Sequence, residues 1–232
     1  MKRDVNGVLL LAKPDGMTSN AALQKAKVLF HAKKAGHTGS LDPIATGMLP
    51  ICFGEATKFA QFFIEDDKIY EVKARLGVQT DSGDRTGTEI NHADIPALTE
   101  ESLKAALIPF IGEIEQIPPM YSAIKMNGKR LYELARKGVE VERKARLITI
   151  YDLQLLNFEE TPAGVFMRLR VSCSKGTYIR TLVEDIAKAL GTLACVETLH
   201  RHQVGAFDTL KMVSLEQIHA AREKSVNDMD AL

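Results

Sequence analysis

The sequence predicts an α+β fold built around a mixed sheet, and three observations carry that prediction. Strand-like segments occur as short apolar runs and as a two-residue alternation. At 68–76, Tyr70, Val72, Ala74 and Leu76 share one face, and Ile69, Glu71, Lys73 and Arg75 share the other. Helix-like segments with caps at their ends lie between the strands. The two kinds of segment follow no strict βαβ alternation, which favours α+β over a purely parallel arrangement.

Taken in order, residues 7–13 read as a buried strand: Gly7-Val8-Leu9-Leu10-Leu11-Ala12 is apolar, and Lys13-Pro14 closes it. Ser19 is placed to cap a helix over 20–31, where Leu23, Ala26 and Phe30 keep helical spacing. Residues 35–47 form a glycine-rich loop, 48–53 a strand and 55–63 a short helix. Strand 68–76 follows, with Tyr70 on its apolar face. Residues 77–97 carry three glycines among Asp and Thr and read as a long loop. Thr99 caps a helix over 100–110, with Glu100 and Glu101 in its first turn. Pro118-Pro119 opens an irregular stretch, and 129–137 reads as a basic helix closed by Gly138. Segments 145–157 and 164–173 read as paired strands. Thr177 starts a helix that Gly191 ends, 193–205 is a strand, and 214–223 is the last helix.

At 232 residues the chain can bury a sizeable core, and 45% hydrophobic with 26% charged residues is the balance of a soluble globular protein. No apolar run approaches the roughly 20 residues that span a bilayer. The run at 7–12 is too short for a cleavable signal. Cys52, Cys173 and Cys195 are odd in number, widely spaced and set among apolar neighbours. They read as buried reduced thiols, which points to a cytoplasmic protein with no metal site. Thirty basic and thirty acidic residues cancel, arguing against indiscriminate nucleic-acid binding. The charge is uneven, however. Residues 120–146 carry eight Lys/Arg against three acids, a net of +5, and 65–101 carry a net of −6. The basic region is either a solvated face or a place to hold a phosphate backbone.

Three segments are candidates for chemistry. In Lys34-Ala35-Gly36-His37-Thr38-Gly39-Ser40-Leu41-Asp42-Pro43-Ile44-Ala45-Thr46-Gly47, three glycines let the backbone bend, and Pro43 stiffens the chain just after Asp42. Such a loop holds one carboxylate at the mouth of a cleft. It lacks the Gly-Lys-Ser/Thr ending of a phosphate-binding loop. Asp-Pro is also an ordinary turn starter. In Cys173-Ser174-Lys175-Gly176-Thr177-Tyr178-Ile179-Arg180-Thr181, a strand turns into a helix, bringing Lys175, Tyr178 and Arg180 near helix-terminal N–H groups. That junction suits an anion or a carboxylate, and it is also an ordinary helix start. Tyr70 offers either core packing or a flat face for a base and a phenol for proton transfer.

Together these segments resemble the TruB family of tRNA pseudouridine synthases along nearly the whole chain. The matching motifs are Lys13-Pro14-Asp15-Gly16-Met17-Thr18-Ser19, Gly36 to Gly47, Tyr70 with Leu76-Gly77-Val78-Gln79-Thr80-Asp81, Pro119 to Lys125, and Cys173 to Arg180. Ser40 stands where Thr is common and keeps the hydroxyl. The resemblance implies a pseudouridine synthase fold, a mixed central sheet flanked by helices with an inserted subdomain. It implies one catalytic domain over 1–232, with the family's C-terminal RNA-binding module absent. It further implies that Asp42 is the catalytic aspartate, Arg180 its ion-pair partner, and Tyr70 a residue that stacks on the target base. His37 would fill the gap left by a flipped base, and Leu199 would pack against the site. The implied substrate is tRNA, at uridine 55 of the T stem-loop, with no cofactor. Lys125, Lys129, Arg130 and Tyr178 are the remaining candidates for RNA contact.

Isomerisation needs no redox step, and Asp42 serves it by attacking the sugar, by attacking the base or by removing a sugar proton. The sequence leaves all three routes open. Two rival readings are a non-catalytic RNA-binding module, which Asp42→Asn would leave intact, and a carboxylate glycosidase, which would release free uracil and need a second carboxylate. No protein partner or membrane is implied, and a monomer is the expected state.

Overall fold

The computed structural model describes residues 2–126, 128–208 and 211–230, with side chains as far as residue 223. The basic stretch 120–146 is thus described except at Asn127, and the domain reading of 1–232 extends past the described residues at both ends. Along the chain the elements are β1 (Gly7–Lys13), α1 (Ser19–Leu29), β2 (Ala35–His37), β3 (Ala45–Phe53), a 3₁₀ segment (Gly54–Phe59), α2 (Ala60–Glu65), β4 (Lys68–Leu76), β5 (Val78–Thr80), β6 (Glu89–His92) and α3 (Glu100–Leu107). A second 3₁₀ segment (Ile108–Phe110) leads to β7 (Gly112–Gln116), β8 (Lys125–Met126), β9 (Lys129–Arg130), α4 (Leu131–Ala135), β10 (Arg146–Thr161), β11 (Gly164–Cys173), α5 (Ile179–Ala189), β12 (Ala194–Val204) and α6 (Leu215–Asp230). Strands pair both parallel and antiparallel, with helices between them, as the α+β expectation has it. Among the described residues no helix is long and apolar enough to cross a membrane.

The chain forms two compact units, Met1–Tyr70 with Leu199–Leu232, and Glu71–Thr198. Strands β4 and β12 each pass from one unit into the other.

In the first unit β3 is central. It pairs antiparallel with β1, Gly7 opposite Phe53 and Lys13 opposite Gly47. It pairs antiparallel with β2 at Gly36–Cys52, and parallel with the end of β12 at Leu199–Ala45 and Arg201–Gly47. Its apolar content follows from this position: Met48, Leu49 and Ile51 are wholly buried. Gly47 is required where β12 crosses. Its φ is +96°, and a Cβ there would lie 2.3 Å from the Arg201 carbonyl oxygen.

In the second unit the strand order is β12-β4-β11-β10-β7. The expected pairing of the two long strands is observed as an antiparallel hairpin closed at Thr161–Gly164. Alternation along β4 buries Val72, Ala74 and Leu76. α3 packs against β10 and α5. α5 buries Ile179, Leu182, Val183 and Ile186 on one face.

Several elements differ from the sequence reading. α1 is capped by Thr18, whose extended backbone lets Oγ1 accept from Ala21 N at 3.1 Å. Ser19 is the first helical residue and is used elsewhere. The loop expected over 35–47 is irregular only between β2 and β3, because its two ends pair in the sheet. The loop at 77–97 contains the β5–β6 pair, Val78 opposite His92. The basic helix expected over 129–137 is confined to α4, because Lys129 and Arg130 pair with Lys125 and Met126 as a small hairpin. β7 went unseen because Ile114 is its only large apolar residue. Cys52, Cys173 and Cys195 are free and buried.

Candidate active site

The first unit holds Asp42, His37, Tyr70 and Leu199. Asp42 is half-buried in the loop between β2 and β3. Three side chains from distant parts of the sequence fix that loop. Ser19, at the start of α1, accepts a hydrogen bond from Leu41 N at 2.7 Å and donates to Leu41 O at 3.0 Å. Lys13, at the end of β1, donates from Nζ to Pro43 O at 3.1 Å and to Pro14 O and Met17 O at 2.8 and 2.5 Å. Gly16 N donates to the same Pro43 oxygen at 2.9 Å. Arg201, on β12, donates from Nε to Met48 O at 2.7 Å and from Nη2 to Gly39 O at 3.3 Å. The residues immediately before and after Asp42 are therefore both held from outside the loop, and Asp42 O itself accepts from Ala45 N at 3.0 Å. Such bracing supplies the preorganisation a catalytic carboxylate needs.

The electrostatics follow from burial. Lys13 and Arg201 are each only 1% exposed. Burial pushes the Lys13 ammonium down to about 8, against the opposing pull of Asp15 and Asp42, and Arg201 adds to the lowering. His37 lies at the end of β2 with Nδ1 buried and without a hydrogen-bond partner among the described residues. Burial, and then the Arg201 guanidinium, hold its pKa below the ordinary imidazole value, so it is neutral at pH 7. Thr46 Oγ1 lies 2.8 Å from His200 Nδ1, tying β3 to β12. Tyr70 is 8% exposed at the start of β4, and Leu199 is buried opposite Ala45.

The second unit holds Arg180, Tyr178, Lys125, Lys129 and Arg130. Arg180 is buried at the start of α5. It donates from Nη1 to Ser82 O and from Nη2 to Tyr121 O, each at 2.7 Å. Gln116 grips Tyr178 by both backbone groups, accepting from its N at 2.8 Å and donating to its O at 3.1 Å. This amide at the end of β7 fixes the entry to α5, where no side-chain cap is present. Tyr121 donates from Oη to Asp81 at 3.3 Å. Lys125, Lys129 and Arg130 are exposed on the β8–β9 hairpin, Lys125 directly opposite Arg130.

Sequence reasoning singled out Asp42 and Arg180 as candidates but not the groups that hold them. Lys13 and Ser19 stood inside a quoted motif without a role. Arg201 gave no signal of its own either, because β12 carries Glu197, His200, His202 and Gln203 as well, and only the structure shows that Arg201 alone among these polar side chains is buried. Gln116 and the carbonyls of Ser82 and Tyr121 had none. Among the described residues no group of three or more His, Cys, Asp or Glu side chains is placed to hold a metal ion.

Comparison with known proteins defines the class. Residues 27–179 match the model of the TruB family pseudouridylate synthase N-terminal domain, and residues 180–232 match the tRNA pseudouridylate synthase B C-terminal domain. The chain belongs to the TruB family of pseudouridylate synthases. Among curated relatives, the tRNA pseudouridine synthase B of Coxiella burnetii strain RSA 331 is 54% identical over 224 residues, which are 97% of this chain and 71% of the relative. That of Serratia proteamaculans is 52% identical over 223 residues, 96% of this chain and 69% of the relative. Among solved structures, a Cbf5–Nop10–Gar1 complex matches with TM-score 0.70 and 29% identity over 90% of this chain. The chain spans 52% of that solved chain.

Proposed function

We propose that the chain isomerises uridine 55 in the tRNA T loop to pseudouridine, with Asp42 as the catalytic carboxylate. Uridine-to-pseudouridine conversion in tRNA is the activity that the names of its relatives state, and identity above one half carries it to this chain. The observation that supports the finer reading is the bracing of Asp42. A loop whose Leu41 and Pro43 are both tied to other elements presents one carboxylate in one geometry.

The reaction is an intramolecular exchange. The bond from the sugar C1′ to N1 breaks, the uracil turns, a bond from C1′ to C5 forms, and the C5 proton is lost while N1 gains one. Asp42 serves the reaction in its ionised form, by any of the three routes open to a carboxylate. The resemblance, rather than a distance, assigns Arg180 as the guanidinium paired with it. Its two short bonds to carbonyls hold that guanidinium rigid. Extruding a stacked base costs about a few kcal/mol. Neutral His37 filling the vacated space, Tyr70 stacking on the uracil with Leu199 packed against the site, and Tyr178 contacting the RNA would offset that cost. Lys125, Lys129 and Arg130 would hold phosphates of the T stem. The protein acts in the cytoplasm as a monomer, with tRNA as its partner.

The test is tritium release from a T-arm hairpin labelled at uridine C5, comparing the parent with Asp42→Ala. Release by the parent alone, without free uracil, is expected. Free uracil among the products would instead mark a glycosidase. Equal release by both proteins would remove Asp42 from the chemistry.

A further inference from the structure

Arg201 is the group whose burial calls for an account that the proposed chemistry does not supply. Arg201 is 1% exposed, and among the described residues it makes no ion pair. Burying such a charge without a carboxylate is costly, and an apolar side chain would fill the same space at less cost. Its five N–H donors form a rigid planar fork. Two of them reach Met48 O and Gly39 O, the two flanks of the segment that carries Asp42. The strand that presents Arg201 is pressed against β3 at Gly47, where no Cβ fits. The fork therefore has one position available to it, and the loop closes around that position.

We propose that Arg201 is a positioning residue for the isomerisation: by bridging the carbonyls of Gly39 and Met48 it sets the place of Asp42, and it places its charge near the His37 ring. The inference rests on Asp42 being the catalytic carboxylate. His37 sits two residues before Gly39, and the guanidinium that holds Gly39 O also acts on the imidazole. A neutral ring, unlike an imidazolium, enters a stacked RNA loop without bringing a charge that must be desolvated. One buried side chain thus sets the carboxylate's geometry and adds to the burial that lowers the pKa of the residue that would replace the flipped base.

Two variants separate position from charge. Arg201→Lys keeps the charge and loses the fork; Arg201→Gln loses both. Kinetics on the T-arm hairpin should show kcat lowered by about 100-fold in each, the scale of effect from a small misplacement of a reacting group, with KM changed less than threefold. NMR titration of the His37 ring, assigned with His37→Gln, should show its midpoint raised in Arg201→Gln and unmoved in Arg201→Lys. A merely structural arginine would lower the melting temperature without that split. A folded Arg201→Lys with kcat within threefold of the parent would overturn the proposal, as would a change confined to KM or an unmoved His37 midpoint in folded Arg201→Gln. If Arg201→Gln does not fold, kcat and KM of Arg201→Lys decide. If the parent forms no pseudouridine, the functional reading fails instead, and the His37 midpoint still reports on the geometry.

Discussion

Glu184 lies one helical turn beyond Arg180 on α5, and its ionisation is strongly displaced. Burial, and then Asp185, push its carboxyl up to about 7, while Arg180 and Arg143 pull the other way. The folded protein therefore holds this proton more tightly than the unfolded chain. Between about pH 4.5 and 7 the native state binds more protons than the unfolded state, so this group's contribution to stability falls as pH rises. Glu184→Gln removes the titration. The variant should gain stability relative to the parent as pH rises from 5 to 8, measured as the difference between their urea midpoints at the two pH values. A constant difference would refute it. Lys13 shows the same physics with the opposite charge. Lys13 and Arg201 are each buried, and each donates to carbonyl oxygens rather than to carboxylates. Carbonyl dipoles partly replace the lost hydration, which is why three oxygens converge on the Lys13 ammonium.

Elements meet at the Asp42 loop, and single side chains carry the connections. α1 is tied to the loop through Ser19, which satisfies both backbone groups of Leu41 at once. Its loss would leave a buried N–H and a buried C=O without partners. Ser19→Ala should therefore cost about 1–3 kcal/mol in urea unfolding, and it should lower turnover of the labelled hairpin more than hairpin affinity. Unchanged stability would mean that water takes over both bonds. The same loop shows what a local reading detects. Its glycines and Asp42-Pro43 were visible because turn chemistry is written in neighbouring residues. Its ends were not, because Ala35–His37 and Ala45–Gly47 become strands only by pairing across the chain. The basic segment was misread for a related reason. Helical propensity at 129–137 is real, but Lys129 and Arg130 gain more by pairing with Lys125 and Met126, and the helix begins at Leu131. Thr18 in place of Ser19 as the cap is a one-residue difference with a functional consequence, since it releases the serine hydroxyl for the loop.

At the scale of the whole molecule, charge sets how RNA is held. The chain is neutral, so binding to any polyanion must come from local concentrations of cations. Exposed Lys125, Lys129 and Arg130 form one such place. Replacing all three by Gln should weaken tRNA binding and reduce the slope of log K against log salt by about 2–3, if each meets one phosphate. Fluorescence titration of the T-arm hairpin at several salt concentrations would measure this, and an unchanged slope would exclude the hairpin from the interface. The sequence by itself determined the fold class, the main strands and helices and the family, and it singled out Asp42 as the candidate carboxylate. Each of these is written in local pattern or in residues that stand together in a motif. Only the tertiary structure decided what holds that carboxylate. Lys13, Ser19 and Arg201 lie 29, 23 and 159 positions from Asp42 by their numbers, and no local pattern records where a hydrogen bond across such distances will close. Burial decided the rest. The same Lys13 and Glu184 side chains would titrate ordinarily in water, and their displaced pKa values arise from the packing that removes it.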